Sequence, residues 1–308
     1  MDKELKGKLK YLINKKKDFA VICEELELKD YEVIGLVMLM KQDGDLVDYI
    51  DGQIVKLTKP IQTEGTYHVP HNLERLRLLL ISDTHLGSTS DRLDILRYVY
   101  DKADKRGVQH ILHSGDLFEG ISNRPEQVYE RRMHSYDDML QYGVDNYPSY
   151  SGKTYAISGN HDDWMIKQGS GEIIRSLARQ REDIVYLGPS VADMQIGKTK
   201  IRLFHGQGKV GYAVSYKMER YLDAIPMAER PHILQMGHIH RAFYAHRDET
   251  HCFQTSALQD ETAYTKSLGL PNSKSCWWVD VNLDDKGRVA SIVPELETFG
   301  PKLVKKRR

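Results

Sequence analysis

The sequence predicts an α/β domain preceded by a small helical unit. From Leu76 onward, short apolar runs alternate with segments of helical periodicity, which is typical of a sheet covered by helices. Residues 1–60 follow a different pattern, with three short helical segments and then a hairpin signal. The chain has 308 residues, of which 40% are hydrophobic, so it is long enough for one large and one small domain, or for two domains.

The first 60 residues resemble a winged helix. Apolar residues recur at helical spacing in three segments, and two apolar runs follow at residues 46–50 and 54–57. The dipeptide Asp51-Gly52 between these runs is a strong hairpin signal. Residues 58–72 contain two prolines and a glycine, which indicates a linker. We therefore predict a winged-helix-like domain at residues 1–60 and a linker at residues 61–75.

Five predicted strands organise the second domain, residues 76–300. They lie at residues 76–82, 110–114, 155–158, 201–204 and 233–236. Between the first two strands we expect a helix, which Ser90 can cap and Gly107 can end. A hairpin that turns at residues 285–287 ends the domain, and residues 301–308 form a basic tail.

Composition and cysteine usage favour a soluble cytoplasmic protein that is not bound to a membrane. Lys and Arg together number 44, as do Asp and Glu, so any contact with nucleic acid must come from local basic patches. Cys23, Cys252 and Cys276 are far apart, which predicts neither a disulfide framework nor a zinc knuckle and fits a reducing compartment. The Lys-rich start is not followed by the apolar region of a signal peptide.

Polar residues of the metal-binding types follow each of the five predicted strands. Because the carboxyl ends of such strands converge at one edge of a sheet, these side chains are expected to meet. Imidazoles and carboxylates bind Mn, Fe or Zn, and two-metal hydrolytic sites hold their ions roughly 3.5–4 Å apart. One carboxylate must bridge the ions, and we expect Asp116 to do so. The residues are Asp83, His85, Asp116, Asn160, His161, Asp162, His205, His238 and His240.

These motifs, in this order, resemble the full signature of the calcineurin-like metallophosphoesterase family from about residue 76 to residue 299. The resemblance implies a four-layer α/β/β/α sandwich and attack by a metal-bridging hydroxide. It implies two divalent ions, with manganese expected first and iron, zinc, nickel or magnesium as alternatives. It also implies that His161 protonates the leaving oxygen and that Asp162 orients His161. The implied ligands are Asp83, His85, Asp116 and His240 for the first ion, and Asp116, Asn160, His205 and His238 for the second.

The substrate must be inferred from residues around the core site, because the family acts on many phosphoesters. Residues 81–88 resemble the opening motif of DNA repair nucleases and of the small exonuclease subunit of archaeal family-D DNA polymerases. Residues 115–120 and 125–127 also resemble that polymerase subunit. The winged-helix-like domain is a third feature that favours DNA.

Several features near these motifs allow two interpretations. The lysines of the first helix can contact DNA phosphates or form a solvated face, and the third helix is too acidic to suit DNA reading. The tyrosines that follow Asp116 can stack on bases or pack in the core. Trp164 lies close enough to His161 in sequence to touch a substrate base, whereas His110 and His113 are interpreted as structural. The tyrosines are Tyr129, Tyr136, Tyr142, Tyr147 and Tyr150.

The sequence thus predicts a two-metal-dependent phosphodiester hydrolase that is a DNA nuclease, in particular an exonuclease. DNA is the expected partner, and the N-terminal domain is expected to guide DNA, a protein partner or a second copy of the chain. One alternative is a phosphodiesterase or phosphatase for a small nucleotide. Another is a structural subunit of a replication or repair complex.

Overall fold

The structure is a computed structural model that describes residues 3–42, 47–50, 52–56, 65–122, 125–208, 213–267, 269 and 273–300. The chain divides into two compact units, Met1–Gln62 and Thr63–Arg308. The predicted basic tail, residues 301–308, lies outside the described residues.

The first unit contains three helices and a hairpin around a small core. The elements are α1 (Lys3–Asn14), α2 (Phe19–Leu26), α3 (Asp30–Gln42), β1 (Val47–Ile50) and β2 (Gln53–Lys56). Leu9, Val33 and Val37 are completely buried. Ile50 pairs with Gln53, so two residues connect the antiparallel strands, as the Asp51-Gly52 pattern predicts. The interpretation of this first unit as a winged-helix-like domain stays a prediction.

The second unit is built on two six-stranded sheets. The first has the order β14-β13-β4-β5-β6-β7, in which β4 to β7 are parallel and β13 runs antiparallel to β4. Its strands are β4 (Arg75–Ile81), β5 (His110–His113), β6 (Lys153–Ser158), β7 (Ile184–Pro189), β13 (Ser275–Leu283) and β14 (Val289–Thr298).

The second sheet has the order β11-β12-β10-β9-β8-β3, with β9, β10 and β12 parallel. Its strands are β3 (Thr66–Val69), β8 (Val191–Ile196), β9 (Thr199–Phe204), β10 (Ile233–Met236), β11 (Phe243–Arg247) and β12 (Thr250–Gln254). The described residues of the second unit form six α-helices, namely α4 (Leu93–Arg106), α5 (Tyr136–Asn146), α6 (Asn160–Lys167), α7 (Ile173–Gln180), α8 (Tyr216–Asp223) and α9 (Ala263–Ser267). None of the helices in the described part of the chain is long and apolar enough to cross a membrane.

The two sheets stack face to face between helices, which confirms the predicted four-layer sandwich. Side chains alternate along β4: Leu78 and Leu80 pack against the second sheet, whereas Leu79 and Ile81 pack against helices. Buried residues of α4, α5 and α7 cover the first sheet, and residues of α8, such as Leu222, cover the second. Both faces of the central strands are therefore buried, which explains their continuous apolar sequence.

Two local predictions about this unit are wrong. The segment 61–75, predicted as a linker, contains β3, which pairs with β8 and places Val69 against the core between the sheets. A four-residue edge strand with three exposed residues carries too little hydrophobic pattern to be recognised. Ser90 does not cap α4, because that helix begins after Arg92, whereas Gly107 ends it as predicted, with φ 63°.

Candidate metal centre

The predicted ligands lie where the two sheets meet at the carboxyl ends of their strands. Asp83 and His85 follow β4, Asp116 follows β5 and Asn160 follows β6, all in the first sheet. The remaining ligands follow strands of the second sheet: His205 follows β9, whereas His238 and His240 follow β10. The site therefore requires both sheets, and neither sheet alone carries a complete set.

The backbone turns sharply at most of these positions. Left-handed backbone conformations are uncommon for residues other than glycine, and they concentrate at functional sites. A Cβ atom at Gly159 would collide with the carboxylate of Asp116, so a glycine is required at this close approach. Five ligands have positive φ: Asp83 (52°), His85 (45°), Asp116 (52°), His238 (74°) and His240 (55°).

The first group of ligand atoms comes from Asp83, His85 and His240, and all of them lie within 4.8 Å of one another. The Nε2 atom of His240 is 3.2 Å from Oδ1 of Asp83. It is also 3.2 Å from Nε2 of His85. Both oxygens of Asp83 accept the backbone N–H of His238, which links the loops that follow β4 and β10.

The second group comes from Asp116, His205 and His238, again within 4.8 Å. The Nε2 atom of His205 lies 3.1 Å from Oδ2 of Asp116 and 3.1 Å from Oδ1 of Asn160. The same Oδ2 atom lies 4.0 Å from Nε2 of His85. Asp116 thus contacts both groups, which favours its predicted role as the bridging carboxylate.

The electrostatics of this cluster fit a site for cations. Burial lowers the pKa of His85 and of His238 to about 4, so both imidazoles are neutral and have lone pairs available near pH 7. Burial opposes a charge on His205, but the adjacent Asp116 raises the pKa of His205 to about 10. A divalent ion bound at Nε2 of His205 would take the place of that proton, because a ligating histidine must be neutral. Two buried carboxylates surrounded by imidazoles are the donor set that divalent transition metals prefer.

Hydrogen bonds to backbone carbonyls orient two of the imidazoles. The Nδ1 atom of His205 donates to the Ser114 carbonyl over 2.8 Å, which directs Nε2 toward Asp116. The Nε2 atom of His238 lies 2.8 Å from the Gly208 carbonyl, which leaves Nδ1 as its ligand atom. In each of these two imidazoles, one nitrogen is therefore taken by a carbonyl and the other faces the ligand cluster.

His161, the predicted acid, lies beside the ligands. Its Nδ1 is 2.8 Å from the carbonyl oxygen of Glu119, and its ring forms an edge contact with His85 at 4.5 Å between centroids. The ring also packs on Trp164, with centroids 3.9 Å apart. The backbone N–H of His161 donates to Oδ1 of Asp116 over 2.8 Å. This arrangement holds the imidazole by one nitrogen and leaves Nε2 for a substrate.

The structure corrects the role expected for Asp162. In the described residues its carboxylate accepts three backbone N–H groups, from Gly159 at 2.9 Å, Phe118 at 2.9 Å and Leu117 at 3.2 Å. The first of these bonds is the reciprocal half of a helix cap, since Asp162 is the third residue of α6. Asp162 thus joins the loop after β5 to the start of α6, and the group that holds the His161 ring is the carbonyl of Glu119.

Glu119 is a residue of the site that was not predicted from the sequence, and it is 3% exposed. Its Oε2 atom lies 3.0 Å from Nδ1 of His85, and its Oε1 atom lies 3.8 Å from Nδ1 of His161. The Nδ1–Oε2 contact does not have hydrogen-bond geometry, and Nδ1 has no other partner among the described residues. The signal available was an acidic residue three positions after Asp116, behind two apolar residues that the structure buries.

A cavity of about 840 Å³ opens beside the ligands. Trp164 and Lys167 from α6 line it, as does Arg241. None of the five tyrosines that follow Asp116 lines it: Tyr147 and Tyr150 are buried in the core, whereas Tyr129 is 88% exposed.

His113 is structural, because it is buried and its Nε2 atom lies 3.1 Å from Oγ1 of Thr84.

A two-sheet sandwich with clustered imidazoles and carboxylates defines a metal-dependent phosphoesterase. Residues 76–260 match the calcineurin-like phosphoesterase superfamily domain, and the chain belongs to that superfamily. The fold implies divalent metals.

Among curated proteins, the chain is similar to the DNA polymerase II small subunit of Thermoplasma acidophilum, with 22% identity over 285 residues. The match covers 79% of this chain but only 57% of that protein, so the chain spans little more than half of its relative. Among solved structures, it is similar to a novel archaeal phosphodiesterase, with 14% identity, a TM-score of 0.42, and coverage of 72% of this chain and 100% of that chain. Vps29 from Entamoeba histolytica, in complex with zinc, shares 15% identity, with a TM-score of 0.34 and coverage of 73% and 100%.

Proposed function

We propose that this metal-dependent phosphoesterase is a phosphodiesterase that cleaves DNA, acting as an exonuclease with manganese ions. The observation that carries the proposal is the composition of the cavity wall next to His161. Trp164 offers an aromatic face, and Lys167 and Arg241 offer positive charge. An aromatic platform beside basic side chains is the combination that single-stranded nucleic acid requires.

The residues of the site have two proposed roles, metal binding and proton donation. Asp83, His85, Asp116 and His240 would hold one ion, and Asp116, Asn160, His205 and His238 the other. When bound, such ions supply Lewis acidity toward the phosphate and make water more acidic. His161 would donate a proton from Nε2 to the leaving oxygen, since its Nδ1 is occupied by the carbonyl of Glu119.

Two further findings support DNA as the substrate. The similarity to a DNA polymerase II small subunit extends over 79% of the chain. The first unit also offers a positively charged helix, α1, with lysines at positions 3, 6, 8 and 10. We propose that this unit is winged-helix-like and guides DNA, a protein partner or a second copy of the chain to the site.

A small nucleotide is the second candidate substrate. The cavity volume of about 840 Å³ lies within the range of roughly 300–1,000 Å³ that small-molecule sites occupy. A cyclic dinucleotide or a nucleotide monoester would therefore have room beside the ligands.

One assay distinguishes the two candidates. The purified chain is incubated with Mn²⁺ and end-labelled single-stranded or double-stranded DNA, a cyclic dinucleotide, or a phosphate monoester. We expect stepwise shortening of DNA, and a Trp164→Leu variant should show a KM for single-stranded DNA that is at least ~5-fold higher, because one stacked base contributes about 1–3 kcal/mol. Intact DNA together with turnover of the cyclic dinucleotide would instead support the second candidate.

A further inference from the structure

One part of the cavity wall is polar, buried and acidic, in contrast to the basic part formed by Lys167 and Arg241. We call it the polar subsite and define it by Gln127, Glu130, Gln259 and Thr262, all of which line the cavity. Their exposed fractions are 3%, 7%, 2% and 6%. Polar side chains are seldom buried to this degree on a cavity wall without a hydrogen-bonding role.

A hydrogen bond connects the polar subsite to the metal centre through Glu119. The Nε2 atom of Gln259 donates to Oε2 of Glu119 over 3.3 Å, and that oxygen lies 3.0 Å from the ligand His85. The same Nε2 atom also donates to Oγ of Ser88 over 2.8 Å. A molecule whose phosphate lies at the ligands can therefore extend into the subsite.

The side chains of the subsite are held in place by the surrounding backbone. Oε1 of Glu130 accepts the backbone N–H of Tyr264 over 2.7 Å, which joins the 3-10 turn Pro125–Glu130 to the start of α9. The carbonyl of Glu130 accepts the backbone N–H of Thr89 over 2.8 Å. The subsite is therefore preorganised by three segments of the chain that are far apart in sequence.

The subsite contains an acceptor that has no partner. The Oε1 atom of Gln127 is buried and lacks a hydrogen-bond partner among the described residues. The side-chain oxygens of Glu119 and the carboxylate of Glu130 add further acceptors. Arg131 supplies a nearby positive charge, but its guanidinium does not line the cavity and its Nη1 donates to the Ser122 carbonyl. A ligand in the subsite must therefore donate hydrogen bonds and carry no negative charge.

We propose that the polar subsite binds a terminal hydroxyl of the nucleoside next to the scissile phosphate and rejects a terminal phosphate. The inference rests on the proposed function, because it takes the substrate to be a nucleic acid strand. A nucleoside end offers a hydroxyl that can donate to Gln127 or Glu130. A terminal phosphate would instead place two negative charges beside the carboxylate of Glu130. The enzyme would then require an unphosphorylated end at the strand terminus that it degrades.

The test uses the dinucleotide TpT and its two singly phosphorylated forms, pTpT and TpTp, with Mn²⁺ and the full chain. We expect kcat/KM for one phosphorylated form to lie at least ~10-fold below that for TpT, while the other form is hydrolysed at a rate similar to TpT. The variant Glu130→Gln keeps the acceptor for the N–H of Tyr264 but removes the charge. It should therefore reduce severalfold the ratio of kcat/KM for TpT to kcat/KM for the disfavoured phosphorylated form. Gln127→Leu should reduce the preference for TpT over bis(p-nitrophenyl) phosphate, which has no hydroxyl. The exposed Glu229, which does not line the cavity, provides the matched control Glu229→Gln, which should leave the ratios unchanged.

Equal rates for all three dinucleotides would overturn the inference, as would an unchanged ratio in Glu130→Gln. Failure to cleave any dinucleotide while bis(p-nitrophenyl) phosphate is hydrolysed would overturn it as well. If the enzyme discriminates among the dinucleotides but leaves DNA uncleaved, the result would support the subsite and contradict the proposed DNA activity. The two failures are therefore distinguishable.

Discussion

The Nδ1 atom of His85 lies 3.0 Å from Oε2 of Glu119, in a part of the site where both side chains are buried. The other nitrogen of His85 faces Asp116 and His240. Although the contact between Nδ1 and Glu119 lacks hydrogen-bond geometry, a negative charge so close to Nδ1 favours the proton on that nitrogen and leaves the lone pair on Nε2. Glu119 therefore acts on the metal centre through His85 and is a positioning residue.

Replacing Glu119 with Gln should weaken metal binding while preserving the fold. The amide keeps the volume of the side chain but removes the charge behind His85, and loss of such a partner typically lowers metal affinity by about 10–100-fold. Calorimetric titration with Mn²⁺ measures this change directly. The exposed Glu229→Gln variant is the control. Equal Mn²⁺ affinity in Glu119→Gln and wild type would contradict the positioning role.

Replacing His161 with Gln should slow chemistry while leaving the ions bound. Loss of a general acid typically costs about 10²–10⁴-fold in rate. The loss should be large for DNA, whose leaving oxygen is strongly basic, and small for bis(p-nitrophenyl) phosphate, whose leaving group needs little protonation. Rates for both substrates, measured at saturating Mn²⁺, test this difference. Equal losses for the two substrates would show that His161 acts in some other way.

Replacing Asp162 with Ala should primarily reduce stability. The carboxylate accepts three backbone N–H groups in a buried position, and each buried donor left without a partner costs about 1–3 kcal/mol. We expect the free energy of unfolding, measured by urea denaturation with EDTA present, to fall by at least ~2 kcal/mol. Asp163→Ala, at the neighbouring and less buried position, is the comparison. A wild-type unfolding free energy for Asp162→Ala would contradict this assignment.

The sequence predicts the position of a site residue where that residue directly follows a predicted strand. Asp83, Asp116 and His205 were predicted to converge because each follows a short apolar run, and the carboxyl ends of such strands meet at one edge. The alternation of helical and strand patterns predicts an α/β domain, and the four layers are implied by the family resemblance alone. That Asp83 and His205 come from different sheets was not predictable from periodicity, because the stacking of the sheets depends on long-range packing.

The missed features depend on contacts between segments distant in sequence. Gln127 and Gln259 are 132 positions apart in the sequence, yet both line the same cavity. Gln127 belongs to a stretch that resembles the polymerase subunit, but nothing in the sequence predicts that its side chain is buried beside Gln259, since glutamine is ordinarily exposed. Asp162 was assigned to His161 by the family motif, whereas its hydrogen bonds depend on how closely the loop after β5 approaches α6.

The central claim is a pair of divalent ions bridged by Asp116, and the most direct test counts the ions. Wild type and Asp116→Asn are loaded with Mn²⁺, freed of excess ion, and analysed for bound manganese and for hydrolysis of bis(p-nitrophenyl) phosphate. We predict two ions per wild-type chain, with both the second ion and the hydrolysis lost in Asp116→Asn, while a folded circular dichroism spectrum is retained. Two ions and normal turnover in Asp116→Asn would contradict the assignment of Asp116 as the bridge, and fewer than two ions in the active wild type would contradict the two-metal site itself.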